Sequence, residues 1–489
     1  MSHLLFVVVI HATLSQYGDV MMSCLNLLNV PIRKMFNESM TATYGLDSQQ
    51  LELLYSACAS TMMIGLVVGF LVMGYFKETF GTRNTAVVLR SLLGIVGSIS
   101  MMISFATGRF EFFVLGHFIS GVAAAFKVIL LIYVAECSPD DKRGLTSMVV
   151  NSGGVVAVLL ATPVCVSSLI GSDRNWFILP AVCGVMAAGH ALVAVHFPQS
   201  PKQLYIRVGV FQDHDEEEAR AALKFYYGSQ YDIDEVISEM ETERRYETHE
   251  SVSLKEIMKD ASNRYSLFIV LLCAFVPPFS ALNIKLQYLM SMLGSYGLSV
   301  LQANTAMTAM NAIALPVCFI APLLIERFGR RKMFVAITLL CSLEWAALGA
   351  AQTFVDVGAP NKPSCWVFGV FGATMGQIAV NLGMLIMSPM MISEICPYNT
   401  RNAISKFTQV LPTALAIVEV AAFPSLASKL GAALFFLLSI CCLALAITLK
   451  QQMLETAGMP IDEIIRRIHN DRSRANSITS DVPSYGSLI

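Results

Sequence analysis

Long apolar runs alternate with short polar breaks along almost the whole chain. A window of roughly 19 residues separates about twelve apolar stretches, near 5–31, 52–76, 85–107, 110–135, 146–170, 176–197, 265–293, 304–326, 332–354, 364–393, 403–427 and 431–450. At 1.5 Å of rise per residue, a helix of that length crosses about 30 Å of hydrocarbon. A helix also satisfies its own backbone hydrogen bonds, which lipid cannot do. The pattern predicts an all-α integral membrane protein with twelve transmembrane helices. The first run has the length of a secretory leader, but no basic stretch precedes it and Asp19 sits near its middle, so it is read as a retained helix.

Between the sixth and seventh runs the pattern changes. Residues 198–264 are highly charged, with Asp213-His-Asp-Glu-Glu-Glu-Ala-Arg220 and Glu241-Thr-Glu-Arg-Arg245, and are expected to form a partly helical, solvated linker. The chain therefore divides into a six-helix half at 1–197, a linker at 198–264, a second six-helix half at 265–450 and a tail at 451–489. The tail opens on an amphipathic segment around Ile461-Asp-Glu-Ile464 and ends in a Ser-rich stretch.

Composition narrows the class. With 55% hydrophobic and 14% charged residues and a mean hydropathy of +0.61, the chain lies outside the range of soluble domains. Basic residues crowd the breaks after even-numbered runs: Lys77 and Arg83, Lys142 and Arg143, Arg327 to Lys332, Arg401 and Lys406. By the positive-inside rule those breaks, the linker and both termini are cytoplasmic. Asn37-Glu-Ser39 is a glycosylation sequon in the predicted loop after the first helix, on the opposite side. The twelve cysteines fall mostly within the runs and are read as reduced. No phosphate-binding loop, metal-ligand cluster or catalytic triad stands in the sequence, so the expectation is a non-enzyme without metal or cofactor. Its partners would be a small-molecule substrate and the bilayer, with no nucleic acid and no obligatory oligomer.

One pattern occurs twice, about 258 residues apart: Glu136 is followed seven residues later by Arg143, and Glu394 by Arg401. Each glutamate ends an apolar run, so each pair can tie a helix end to its neighbour. Gly81 and Gly329 sit where tight turns let backbone approach another helix, and the nearby Arg83, Arg330 and Arg331 can fork two hydrogen bonds to a carboxylate. Together with Glu326, these residues form a candidate gating network, pairing across the two halves at the cytoplasmic side and parting when the inward side opens.

In order along the chain stand Gly74-Tyr-Phe-Lys-Glu-Thr-Phe-Gly81-Thr-Arg83-Asn84, Glu136 to Gly144, Phe197-Pro-Gln-Ser-Pro-Lys202, Glu326-Arg-Phe-Gly-Arg-Arg331, Glu394 to Arg401 and Leu454-Glu-Thr-Ala-Gly458. This series resembles the sugar-porter branch of the major facilitator superfamily, most of all the animal facilitative glucose transporters. The resemblance implies two pseudo-symmetric six-helix halves, alternating access around one mid-membrane site, and residence in the plasma membrane. The motifs are incomplete: Thr82 and Arg83 stand for the family's basic pair, His117 for the arginine of its fourth helix, and Gln199 for the glutamate after its sixth.

The resemblance also places the substrate site. Asn151 stands at the glutamine of the family's fifth helix, Asn283 at the asparagine of the seventh and Asn381 at the glutamate of the tenth. Gln287, Tyr288 and Asn311 complete the candidate set. Other sugar-coordinating positions are replaced, by Pro277-Pro278, Ala314, Pro389 and Pro412-Thr413. Each lost hydrogen bond is worth roughly 0.5 to 1.5 kcal/mol, so ordinary glucose affinity is not expected. Pro277-Pro278 is expected to break the seventh helix, either freeing carbonyls toward the cavity or serving as a structural kink alone.

Among the ionisable residues inside the runs, the candidates for function are Asp19, Lys127, Lys285, Glu344 and Glu419. An unpaired charge there costs at least roughly 2.5 to 3.5 kcal/mol. Pairing with one another is expected, and Asp19 is a candidate proton site, with Lys127 and Lys285 as possible contacts for an anion. The reading is facilitated diffusion of a small polar solute, a hexose or related sugar. The alternatives are proton-coupled transport of a non-sugar such as an organic anion, and a transport-inactive sensor.

Overall fold

A computed structural model describes residues 2–45, 47–206, 213–228, 231–238, 240, 254–457, 464 and 467. The Glu241 to Arg245 run lies outside them, as does the tail beyond Ala457 apart from Ile464 and Arg467. No β-strand occurs among the described residues. Among the described residues eleven helical segments are long and apolar enough to cross a membrane, and the shorter helix Ile178–Ala194 makes the twelfth crossing.

Span one is a broken helix rather than a single rod. It runs through Ser2–Thr13, a 3₁₀ turn, Tyr17–Met22, Cys24–Leu27 and Asn29–Tyr44. Near the first break, Ser15 Oγ donates to the His11 carbonyl and Thr13 Oγ1 to the Val9 carbonyl; such hydroxyls compete with the helical ladder. The helix extends well past the predicted end at residue 31, so Asn37 lies on an exposed helical face and not in a loop. Ser39 of the same sequon is buried and its Oγ accepts from the Phe110 amide.

Spans two, Ser48–Phe80, and eight, Val300–Phe328, share a plan. Asp47 with Gln50, and Ser299 with Gln302, form capping boxes that satisfy the first amides. Gly81 (φ +85) and Gly329 (φ +89) stop the two helices in a conformation that L side chains avoid. Span three follows at Asn84–Thr107, span four at Phe110–Glu136, span five at Asp140–Ala161 and span six at Ile178–Ala194.

Span seven comprises Ala261–Phe279 and Leu282–Ser295. It breaks just after Pro277-Pro278, as expected, but the freed Phe279 carbonyl does not turn to a cavity. It accepts from Trp345 Nε1 at 2.7 Å and Cys442 Sγ at 3.1 Å, within its own half. Span nine is Arg330–Asp356. Span ten runs from Pro363–Asn381 through a left-handed Gly383 to Met387–Ile395. Spans eleven and twelve are Tyr398–Leu430 and Ala432–Gln452.

Within the first half spans two, three and four pack together, and within the second spans nine, ten and twelve. Gly65 and Gly121 let spans two and four touch backbone to backbone; a Cβ on either would come within 2.1 Å of a carbonyl on the other helix. Spans two and eleven, and five and eight, join the halves along their sides. The linker helix Asp213–Tyr227 docks on the first half, where Tyr226 and Tyr133 bond each other at 2.7 Å and share the Pro198 carbonyl. All twelve cysteines are free.

Candidate functional site

The site is built where the halves face each other at mid-depth. In span five a Cβ on Gly154 would come within 2.9 Å of the Asp19 carboxyl and 3.0 Å of Lys127 Nζ, so the missing side chain lets spans one and four close in. Lys127 Nζ lies 2.8 Å from both Asp19 oxygens and 3.2 Å from Gln16 Oε1. The expected pairing is therefore Asp19 with Lys127, half-buried. Asn151 is exposed. At 3.6 residues per turn it sits opposite the outward-facing Leu160, between Gly154 and Ser152, whose Oγ touches Cys318 of the second half at 2.9 Å. That arc faces the space between the halves.

In the second half, Asn283 Nδ2 donates to Glu419 Oε2 at 3.3 Å. Asn381 Nδ2 donates to the Ala314 carbonyl at 2.7 Å, and its Oδ1 is buried without a donor. Asn311 is buried. Tyr288 stands between the halves: its OH donates to the Val420 carbonyl at 3.0 Å and lies beside Ser56 of span two, and its ring stacks on Phe423. Lys285 is not free to meet an anionic solute, because it is paired with Glu344, both almost fully buried.

Gln287 is completely buried on span seven and reaches across the halves toward Met62, while His117 of span four lies beside it with no solvent access. Nearby, Asn26 Oδ1 accepts from the Met290 amide at 2.8 Å and Asn29 Oδ1 from Ser291 Oγ at 3.3 Å. These bonds close the end of the molecule opposite the linker. No hydrogen bond or ion pair between described residues joins span four to span ten at the linker end.

The sequence offered no account of a second polar core inside the first half. His11 Nδ1 and His190 Nε2 are 3.0 Å apart, and His190 Nδ1 is 2.9 Å from Ser91 Oγ. Arg90, fully buried, donates to the Ser15 and Ala123 carbonyls and lies over the Tyr17 ring. Its signal in the sequence is His11, Arg90 with Ser91, and His190, polar positions inside three separate apolar runs.

At the linker end the candidate gating residues make these bonds to described residues, all within one half. Glu394 Oε1 accepts from Arg330 Nε at 3.0 Å and Oε2 from Thr456 Oγ1. Glu136 accepts from Ser200 Oγ and has Lys77 Nζ at 3.9 Å. The expected partner Arg143 instead donates Nε to the Ala135 carbonyl, because it lies on the next helix with its guanidinium turned along the connecting turn. Arg401 similarly donates to the Cys396 and Ser393 carbonyls, Arg83 to the Phe197 carbonyl and Arg331 to the Lys450 carbonyl. Glu326 is exposed and makes no ion pair with a described residue. Gly81 faces Gln203 and Gly329 faces Glu455, which accept the next amides, Thr82 N–H at 2.7 Å and Arg330 N–H at 2.8 Å.

The family model for sugar (and other) transporters matches residues 5–467, which takes in both halves and every residue of this site. The chain belongs to that family. Among its relatives, the mouse facilitated glucose transporter member 7 is 24% identical over 453 residues, spanning 92% of this chain and 86% of the relative. Its human counterpart is 24% identical over 463 residues, spanning 94% and 88%. Among solved structures, the proton:xylose symporter XylE with 6-bromo-6-deoxy-D-glucose superposes with a TM-score of 0.73 at 17% identity, over 95% of this chain and 99% of that one. The inward open form of XylE from E. coli gives 0.74 at 15% identity, over 95% and 99%. The protein thus has the twelve-helix major facilitator fold and is a multi-pass membrane protein of a transporter family, not of an enzyme family.

Proposed function

We propose that this protein carries a small neutral polar solute, a hexose or related sugar, by facilitated diffusion with alternating access. The observation that carries the reading is the polar surface between the halves of a sugar-transporter fold, with Asn151 exposed toward it and Asn381 holding an unpaired amide oxygen. Binding groups near the bilayer midplane between two repeats are what alternating access requires. Asn283 with Glu419 would supply further acceptors. With the linker and termini in the cytoplasm, the bonds from Asn26 and Asn29 to span seven close the outer side, and the molecule faces inward. The linker-end contacts of Glu136 and Glu394 then act as clamps that keep each half rigid while it rocks. Plasma membrane residence and a glycan on Asn37 belong to the same reading.

A second reading rests on Asp19 with Lys127: a half-buried carboxylate beside the solute path can release its lysine on protonation and couple solute to proton. Liposome uptake of labelled hexoses beside organic anions, at two internal pH values, separates the two. Saturable hexose flux that ignores pH and is lost in Asn283→Ala supports the first. Flux that needs a proton gradient and disappears in Asp19→Asn replaces it with the second.

A further inference from the structure

The two halves repeat one pattern at the linker end, and the repeat extends to one further residue in each half. Fifteen positions beyond Glu136 stands Asn151, and fifteen beyond Glu394 stands Gln409. Gln409 lies in span eleven and is half-buried. At 3.6 residues per turn it falls opposite Val418, which is 62% exposed, and on the face of Ala416 and Val420, both buried. That face is turned toward span seven, because the Val420 carbonyl takes the Tyr288 hydroxyl. Gln409 therefore points inward, about 16 Å along its helix from Tyr398.

Its hydrogen bonding is unfinished in one direction. Nε2 donates to Ser405 Oγ at 3.2 Å, while Oε1 is buried and has no donor. Asn381 repeats the arrangement, with its amide nitrogen committed to Ala314 and its oxygen unmatched. A buried acceptor without a donor is unfavourable, so two of them in one half call for a molecule that brings O–H groups. An organic anion brings more acceptors and no compensating cation, since Lys127 and Lys285 are already paired.

We propose that Gln409 is a solute-binding residue, the second-half counterpart of Asn151, and that its Oε1 accepts a hydrogen bond from a hydroxyl of a neutral polyhydroxylated solute. The proposal rests on the transport reading above and narrows it to uncharged, donor-rich solutes. Its test is liposome uptake of a labelled hexose competed by single-deoxy analogues and by the matching uronic acid, in wild type, Gln409→Met and Gln409→Glu.

Loss of one hydrogen bond should raise the KM of Gln409→Met about tenfold with little change in maximal rate. One deoxy analogue, penalised in wild type, should no longer be penalised in that variant. Gln409→Glu, which keeps an acceptor, should bind the hexose nearly as wild type does, and the uronic acid should compete at least about tenfold more weakly than the hexose in wild type. Gln409→Asn, one methylene shorter, must show the same selective loss for the same analogue if the Met variant does not reach the membrane. An unchanged KM, an unchanged pattern of deoxy penalties, or equal competition by the uronic acid overturns the proposal. Absence of saturable uptake of any neutral sugar by wild type removes the transport reading itself, which hexose uptake with an indifferent Gln409 would leave standing.

Discussion

Arg330 Nε donates to Glu394 Oε1 at 3.0 Å, whereas Glu136, the repeat-related glutamate, has Lys77 at 3.9 Å. The difference traces to one position. After Gly329 comes Arg330, and after Gly81 comes Thr82, too short to reach a carboxylate and fully buried instead. Both glutamates still bind a hydroxyl from the segment that follows the last helix of their half, Thr456 for Glu394 and Ser200 for Glu136. Each therefore ties three elements together, but only the second half does so with a guanidinium.

That asymmetry predicts unequal costs. Glu394→Gln should destabilise the protein by about 1.5 to 3 kcal/mol, the worth of a charged hydrogen bond, because Arg330 is largely withdrawn from water. Glu136→Gln should cost under about 1 kcal/mol, since the Lys77 side chain is 37% exposed and its pair is well screened. Denaturant or thermal unfolding of both variants in one detergent measures the difference, and equal losses would count against the clamp assignment.

Lys285 and Glu344 hold each other inside the second half with almost no exposure, and Lys285 also approaches the Ala373 carbonyl. Removing one partner strands a charge, so Glu344→Leu should cost about 3 to 5 kcal/mol. Replacing both, Lys285→Met with Glu344→Leu, should recover most of that loss because the desolvation penalty goes with the pair. A double-mutant cycle of melting temperatures reads the coupling; a double variant as unstable as the single one would mean that the pair serves packing rather than charge balance.

Asn26 joins span one to span seven at the end opposite the linker. Asn26→Ala should remove one bond between the halves, worth about 0.5 to 1.5 kcal/mol, and shift the population toward the state open on that side. Labelling of Ser291→Cys by a membrane-impermeant maleimide should rise roughly threefold to tenfold in this background. No change would place the closure in Gln287 and the surrounding packing instead.

Much of this protein was fixed by local chemistry. Run lengths set the twelve crossings, capping pairs such as Asp47 with Gln50 set helix starts, and Gly81 and Gly329 set helix stops, because each acts within a few residues of itself. The break after Pro277-Pro278 was legible for the same reason. What the freed Phe279 carbonyl would do was not, since Trp345 and Cys442 meet it from spans far along the chain.

Partner choice belonged to the tertiary structure throughout. Composition indicated that Asp19, Lys127, Lys285 and Glu344 must pair, yet only the helix arrangement decided which acid met which lysine. Asn37 stood in a predicted loop because apolarity ends near residue 31, but packing of Phe36 and Met40 carries the helix on to Tyr44. Gln409 could have been found by counting from the repeated glutamates. Its inward direction and unmatched oxygen come from the neighbours that the fold brings beside it. Hydropathy is a property of one segment and is written in the chain; hydrogen-bond complementarity is a property of two, and exists only once they meet.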